Sequence, residues 1–227
     1  MMKSHPNGHL SHLNRTDGSA TLSNEGYQVV ASVNGPMEAQ RREENPFEAI
    51  IDVVLRPLAG IGGTRERQLE SIIERALRQL ILVKRYPRCV FQVTLQVTQT
   101  HRGDLINDKA VQAHKKLAWV ASLLHAAILA LLAAAVPLKE IATCVVIATP
   151  REAMGREPIR NPSAEIMSKA KSLHLLCFTT SGALLLAESE GECTLEEWDA
   201  AMCAGRATCC RQLPIGEIGP NVGLTGV

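Results

Sequence analysis

The sequence predicts a single α/β domain. Three observations carry that expectation: an amphipathic helix beginning at Arg65, a strictly alternating strand from Cys89 to Thr98, and a long uncharged run from 117 to 138 followed by more strand sequence. Strands and helices follow one another with no second hydrophobic unit, which suits one domain of 227 residues. With 46% apolar and 21% charged residues, the chain is too hydrophobic for wholesale disorder. Its 24 basic and 23 acidic residues leave a net charge of +1, which disfavours a protein that holds nucleic acid by net basicity. Two Trp, two Tyr and three Phe are too few for a base-stacking platform, so any RNA contact is expected to be local or shared with partners.

Taken in order, residues 1–14 read as a flexible polar tail, because Pro6-Asn7-Gly8 argues against a helix that would gather His5, His9 and His12. Ser19 to Val33 suggests two strands joined by a turn at Asn24-Glu25-Gly26, and Asn34-Gly35-Pro36 then breaks the chain. After a charged loop, Ala49–Leu55 is a third strand, ended by Arg56-Pro57. Gly60, Gly62 and Gly63 lead to Thr64, a residue suited to cap the next helix.

In that helix Leu69, Ile72, Ile73, Ala76, Leu77, Leu80 and Ile81 form one buried stripe, and the opposite face is charged. Tyr86-Pro87 is expected to end it. From Cys89, the residues Phe91, Val93, Leu95 and Val97 alternate with Gln92, Thr94, Gln96 and Thr98, the pattern of a half-buried strand. Residues 100–116 form a polar inserted loop with possible helix from Asp108 onward.

The run LAWVASLLHAAILALLAAAVPL is long enough to cross a bilayer, but it is Ala-rich, carries His125 near its middle and lies between strands. A helix buried on all sides is the better reading. Ile141–Thr149 is a further strand, followed by a loop from Pro150 to Pro162. His174–Thr179 and Ala183–Glu188 form a hairpin about Ser181-Gly182. Thr194-x-x-Glu197 is a capping box for a last helix, whose buried face is expected at Leu195, Trp198, Met202, Gly205 and Cys209. Residues 214–227 read as a tail, which leaves 15–213 as the domain.

Seven cysteines without a C-x-x-C pair point to reduced core or surface thiols rather than a metal site. The acidic residues from Glu188 to Asp199 read as a solvated surface near the last helix. Gly62-Gly63-Thr64-Arg65 has the chemistry of a phosphate grip, with close backbone approach, free N–H groups at a helix start and a forked cation. An ordinary loop-to-helix junction has the same sequence. No nucleotide P-loop, H-E-x-x-H or G-x-S-x-G pattern occurs, so no catalytic residue or metal ligand is assigned.

Arg15-x-Asp17-Gly18-Ser19-Ala20, Gly26 opening a strand, Val33-x-Gly35-Pro36, Tyr86-Pro87-Arg88, Ala134-Ala135-Val136-Pro137-Leu138 and Asn161-Pro162-Ser163 occur in that order. As a set spanning about 13–212, they resemble the ribonuclease PH family, and within it the ring subunits of the eukaryotic RNA exosome. The resemblance implies a ribonuclease PH-like domain with mixed sheets packed against helices.

In active members of that family, a Gly-Thr/Ser-Arg triplet followed by Thr-Ala binds phosphate at the start of the long helix. A pair of aspartates assists the chemistry, and bases on the first helix and its preceding loop hold RNA. At the corresponding positions this chain has Ala118, Trp119 and Val120, and Asn161 and Glu165 stand near the aspartate pair; only Arg65, Arg67 and Arg75 match as RNA contacts.

The resemblance therefore implies a non-catalytic structural subunit, without cofactor or metal. Its partners would be other ribonuclease PH-like ring subunits, RNA-binding cap subunits and single-stranded RNA passing to a separate nuclease. It would serve rRNA maturation and RNA turnover in nucleus, nucleolus and cytoplasm. The alternative is an active phosphate-dependent 3′→5′ exoribonuclease.

Overall fold

The computed structural model describes residues 7–24, 27–42, 44–60, 62–100, 109–150 and 157–212. Expectations that fall on the remaining residues, including Glu25-Gly26, most of the 100–116 connection and the tail from 214, lie outside them.

The first sheet contains β1 (Asn7–Leu10), β2 (Gly18–Asn24), β3 (Tyr27–Glu38), β4 (Ile50–Arg56) and β5 (Cys89–Gln99) in the order β1-β2-β3-β5-β4. Helix α1 (Thr64–Leu80) is the crossover that lets β4 and β5 pair in parallel, with Val53 opposite Val93. The other pairings in this sheet are antiparallel. Helix α2 (Lys109–Ala133) leads to the second sheet, made of β6 (Ala142–Thr149), β7 (Ile159–Arg160), β8 (Ser172–Thr179) and β9 (Leu184–Gly191) in the order β7-β6-β8-β9. Short helix α3 (Ala164–Lys169) precedes β8, and α4 (Leu195–Gln212) closes the described chain.

Alternation decides the layers. On the first sheet Ala31, Val33, Val53, Leu55, Val93 and Leu95 turn toward α1 and α2 and are buried. On β6, Cys144, Val146 and Ala148 join that same core, whereas Val145 and Ile147 point the other way and meet Ala201, Ala204 and Cys209 of α4. The result is four layers: sheet, helix pair, sheet, helix. Both faces of β6 and β8 are covered, which is why these strands read as continuous apolar runs.

Several local expectations need correction. Residues 7–10 belong to the sheet, as an exposed edge strand with His9 opposite Thr21; Pro6-Asn7-Gly8 opposes a helix but not an extended strand. Asn34-Gly35-Pro36 does not end a strand: β3 continues through a cis Gly35-Pro36 peptide to Glu38, with a bulge between Asn34 and Met37. Helix α1 ends at Leu80, because Ile81 is extended and bridges to Leu138; a short 3-10 turn at Val83–Arg85 fills the way to Tyr86. Thr64 is the first residue of α1 and Gly63 its cap, with the Gly63 N–H donating to Glu66 Oε2 at 2.7 Å. The helix expected in the 100–116 connection from Asp108 onward is present and begins at Lys109. On α4, Leu195 is 76% exposed, since the helix turns Ala201 and Ala204 to the sheet instead. The capping box is present, with Thr194 N–H to Glu197 Oε2 at 2.8 Å and Glu197 N–H to Thr194 Oγ1 at 3.3 Å.

Helix α2 lies close against β2, and Gly18 marks the tightest approach. A Cβ at Gly18 would stand 2.3 Å from Ala134 N and 2.5 Å from Ala130 O, both backbone atoms that cannot yield cheaply. The run from 117 to 138 is thus core, and among the described residues no helix is long and apolar enough to cross a membrane. His125 within it is satisfied: Nε2 accepts the Cys144 N–H at 2.8 Å.

That bond requires an unprotonated Nε2, and burial holds the imidazole down to about 4. The unfolded chain binds this proton more readily, so the stabilisation is complete above pH 6.5 and is lost as pH falls through about 4. Urea unfolding should show a loss of roughly 2 kcal/mol between pH 7.5 and 4.5 that His125→Gln removes, at the cost of lower stability throughout. A wild-type curve with the same pH slope as the variant would contradict this role.

Candidate nucleic-acid interface

The bases expected to hold RNA all lie on α1, but the helix separates them. Side chains advance 100° per residue, so Arg65 and Arg67 point to nearly opposite sides of the axis, about 200° apart. Arg67 and Arg75 are about 80° apart and 12 Å along the axis. Both are exposed and free to meet an extended phosphate backbone, whereas Arg65 is half-buried and turned toward α2. Further along, Arg78 pairs with Glu48.

Arg65 is held by an aromatic ring. Its guanidinium carbon lies 5.3 Å from the centre of the Trp119 ring, within cation–π distance, and Tyr27 meets the same ring edge-on at 6.2 Å. Gly62-Gly63-Thr64-Arg65 and Ala118-Trp119-Val120, more than fifty residues apart in sequence, therefore meet in space. This juxtaposition was not visible from spacing; an Arg at a helix start and a Trp in a distant helix carry no shared pattern.

Trp119 fills what lies behind the contact. The void bordered by Tyr27, Val29, Val97, Trp119, Ser122 and Leu123 is about 10 Å³, room for no more than one water. Among the described residues Trp119 Nε1 is buried without a hydrogen-bond partner. Because α2 begins at Lys109, residues 118–120 sit more than two turns inside it and not at the start of the long helix, where the resemblance expects a phosphate triplet. The first four N–H groups of a helix are its free donors, and these three lie beyond them.

The second expected location is equally plain in geometry. Asn161 adopts a left-handed backbone with φ of 45° and donates its N–H to the Val146 carbonyl at 2.9 Å, as a bend between β7 and α3. Glu165 lies in the first turn of α3 and is exposed, where a carboxylate suits the helix dipole. Asp17, from the Arg15-x-Asp17-Gly18 motif, takes a structural part: its Oδ2 accepts the Gly35 N–H at 2.7 Å and ties the start of β2 to the bend in β3.

Among the thiols, Cys144 and Cys177 face one another across β6 and β8, and burial raises the Cys144 pKa well above its ordinary value. Cys193 and Cys203 are exposed. Among the described residues no three His, Cys, Asp or Glu groups gather as a metal site.

The family model for the 3′ exoribonuclease family of ribonuclease PH, domain 1, matches residues 7–137. The chain belongs to the ribonuclease PH family. It is 28% identical over 203 residues to the exosome complex component RRP46 of Saccharomyces cerevisiae, covering 87% of this chain and 86% of that protein. The Schizosaccharomyces pombe exosome complex component rrp46 is 26% identical over 189 residues, covering 82% and 76%. The crystal structure of rice (Oryza sativa) Rrp46 superposes with a TM-score of 0.77 at 24% identity, over 92% of this chain and 91% of that one. The Archaeoglobus fulgidus exosome with RNA bound to the active site gives 0.69 at 15% identity, over 92% and 86%, a likeness of fold. The finer resemblance among ribonuclease PH-like chains thus runs to the Rrp46 proteins.

The split between Arg65 and its neighbours on α1 can be read directly. Arg65→Ala should shift Trp119 fluorescence and lower stability by about 0.5–2 kcal/mol, while Arg67→Ala should leave the spectrum unchanged and stability within about 0.5 kcal/mol. Equal effects from the two would contradict the division.

Proposed function

We propose that this chain is a non-catalytic ring subunit of an RNA exosome. The observation that carries the reading is the start of the long helix. Active ribonuclease PH-like enzymes hold phosphate there with Gly-Thr/Ser-Arg, whereas α2 opens on Lys109-Ala110-Val111, and residues 118–120, the positions expected for the triplet, are apolar side chains or an indole more than two turns further in. Phosphorolysis needs inorganic phosphate held in line with the terminal linkage, and loss of even one electrostatic donor at such a site costs about 10²–10³ in rate. Asn161 and Glu165, in place of the aspartate pair, offer one amide and one exposed carboxylate.

On this reading the chain contributes fold and contact surface. It pairs with other ribonuclease PH-like subunits, helps close a ring that carries RNA-binding cap subunits, and passes single-stranded RNA to a separate nuclease in rRNA maturation and RNA turnover. Arg67 and Arg75 are its phosphate contacts, and Arg65 supports them by fixing the start of α1. Nucleus, nucleolus and cytoplasm are the compartments where such a ring would work.

A second reading, an active phosphate-dependent exoribonuclease, has one observation in its favour: the start of α1 with Arg65 stands against Trp119, so a phosphate grip would lie near the aligned position. The two separate in an assay of nucleoside diphosphate release from 3′-labelled RNA by the purified chain, with phosphate and Mg²⁺ supplied. The scaffold reading expects no release. Release that survives Asn161→Ala and Glu165→Ala but vanishes with Arg65→Ala would establish the second reading. In the reconstituted ring, Arg67→Glu with Arg75→Glu should weaken RNA binding and flatten its salt dependence, by about one unit of slope for each lost phosphate contact.

A further inference from the structure

Two histidines at the open edge of the first sheet, His9 and His12, are exposed and take no part in the core. His9 of β1 lies directly across from Thr21 of β2, so both side chains leave the same face of the sheet, with Cβ atoms about 5 Å apart. In a regular strand a residue three positions further on points to the opposite face. Ser11 breaks that alternation with a left-handed backbone, φ 55°, a conformation uncommon for any residue but glycine. Beyond it His12 returns to Thr21, and its Nδ1 and Nε2 lie 3.3 and 3.2 Å from Thr21 Oγ1. Gathering these histidines was expected to need a helix. A strand and one left-handed residue do it instead for His9 and His12, while His5 lies outside the described residues.

We infer that His9 and His12, converging on Thr21, form a binding site for a divalent zinc ion. Imidazole nitrogen is an ordinary ligand for zinc, nickel and copper(II), whereas magnesium and calcium take oxygen. A metal-bound histidine commonly gives one nitrogen to the ion and donates its other N–H to an oxygen, which fixes the ring. Both nitrogens of His12 are within reach of Thr21 Oγ1, so one can hold the hydroxyl while the other takes the ion.

The backbone on which both rings stand is fixed before any ion arrives. His9 is held in the β1–β2 ladder. His12 is pinned on either side by fully buried Ser19: the Ser11 N–H donates to its carbonyl at 2.7 Å and the Leu13 N–H to its Oγ at 3.1 Å. Ligands carried on a fixed backbone lose less freedom on binding than ligands on a loose tail. Among the described residues no third His, Cys, Asp or Glu gathers with them, so water completes a tetrahedral shell. The site is therefore open and its affinity modest, unlike a structural zinc site closed by four protein ligands. Its effect falls on β1, a strand of four residues exposed throughout, which the ion ties to the turn at Ser11.

The test titrates the full chain with Zn²⁺ alone by calorimetry at pH 7.5, in the presence of excess Mg²⁺, and follows the histidine ring signals by NMR. The unaltered chain should bind zinc with the His9 and His12 signals moving together, and the amides of β1 should exchange more slowly once it is bound. Thr21→Val, which keeps the shape and removes the hydroxyl, should weaken binding about 10-fold. His9→Ala and His12→Ala should each weaken it further and abolish the protection of β1. Zinc binding of unchanged affinity in both histidine variants would place the ion elsewhere, for instance on exposed Cys193 or Cys203, and overturn the proposal. So would His9 and His12 signals that stay in place as the unaltered chain takes up zinc, a result that does not depend on any variant folding. Failure of the unaltered chain to bind zinc, or its displacement by Mg²⁺, would overturn it as well. None of these outcomes bears on the ring-subunit reading, which rests on other residues.

Discussion

The burial of α2 between two sheets is the constraint on which the rest of the structure depends. Helix α2 packs against β2 and β3 on one side and β6 and β8 on the other, so from Leu117 onward its sequence must be largely apolar around its whole girth. Alanines at 126, 127 and 130 keep the helix thin enough for that position, and Gly18 removes the Cβ that would strike its backbone. The helix interior tolerates a histidine because His125 supplies β6 with an acceptor for the Cys144 N–H, and so helps to register the helix on the second sheet.

The same constraint governs the site. A helix that begins at Lys109 has spent its free N–H groups well before residue 118, so whatever side chains occupy 118–120 meet a neighbour with no donors to offer. Trp119 answers by burying most of its ring against Tyr27 and the first sheet and by presenting its face to Arg65. The arginine that a linear motif would assign to phosphate thereby becomes part of the packing between α1 and α2. Its neighbour Arg67, two residues on, escapes only because the helix turns it nearly half a revolution away.

Much of this was legible in sequence wherever periodicity and burial coincide. The stripe from Leu69 to Ile81 and the alternation of Phe91, Val93, Leu95 and Val97 each report a single buried face, and the structure buries them apart from half-exposed Ile72. Reading failed where a residue's meaning depends on a partner far along the chain. Asn7–Leu10 is polar and exposed, and becomes a strand only because β2 offers it an edge. Gly35-Pro36 looks like a terminator, yet Asp17 and the edge of β5 carry the chain past it. Leu195 is apolar and precedes the helical register of Ala201 and Ala204, so it points to solvent. For the site, the motif positions were visible but their meeting was not, because the Arg65–Trp119 contact is a product of how α1 and α2 cross.

Stability and surface chemistry are consequently placed on different sides of the same elements. On α1 the apolar stripe faces the core and the outward side carries Arg67, Glu74 and Arg75, so charge there can change without touching the packing. On β3 and β5 of the first sheet the division is similar, with aliphatic side chains toward α2 and mostly uncharged polar ones away from it, while β4 turns Asp52 and Arg56 outward. The second sheet does not: β6 and β8 are apolar on both faces because α4 closes the far side, leaving β9, with Glu188 and Glu190, as the strand that meets solvent. A fold arranged in this way can use Arg65 and Trp119 for packing between α1 and α2 and still keep charge on the outer side of α1. The surfaces open to other molecules are not the ones that hold the helices in place.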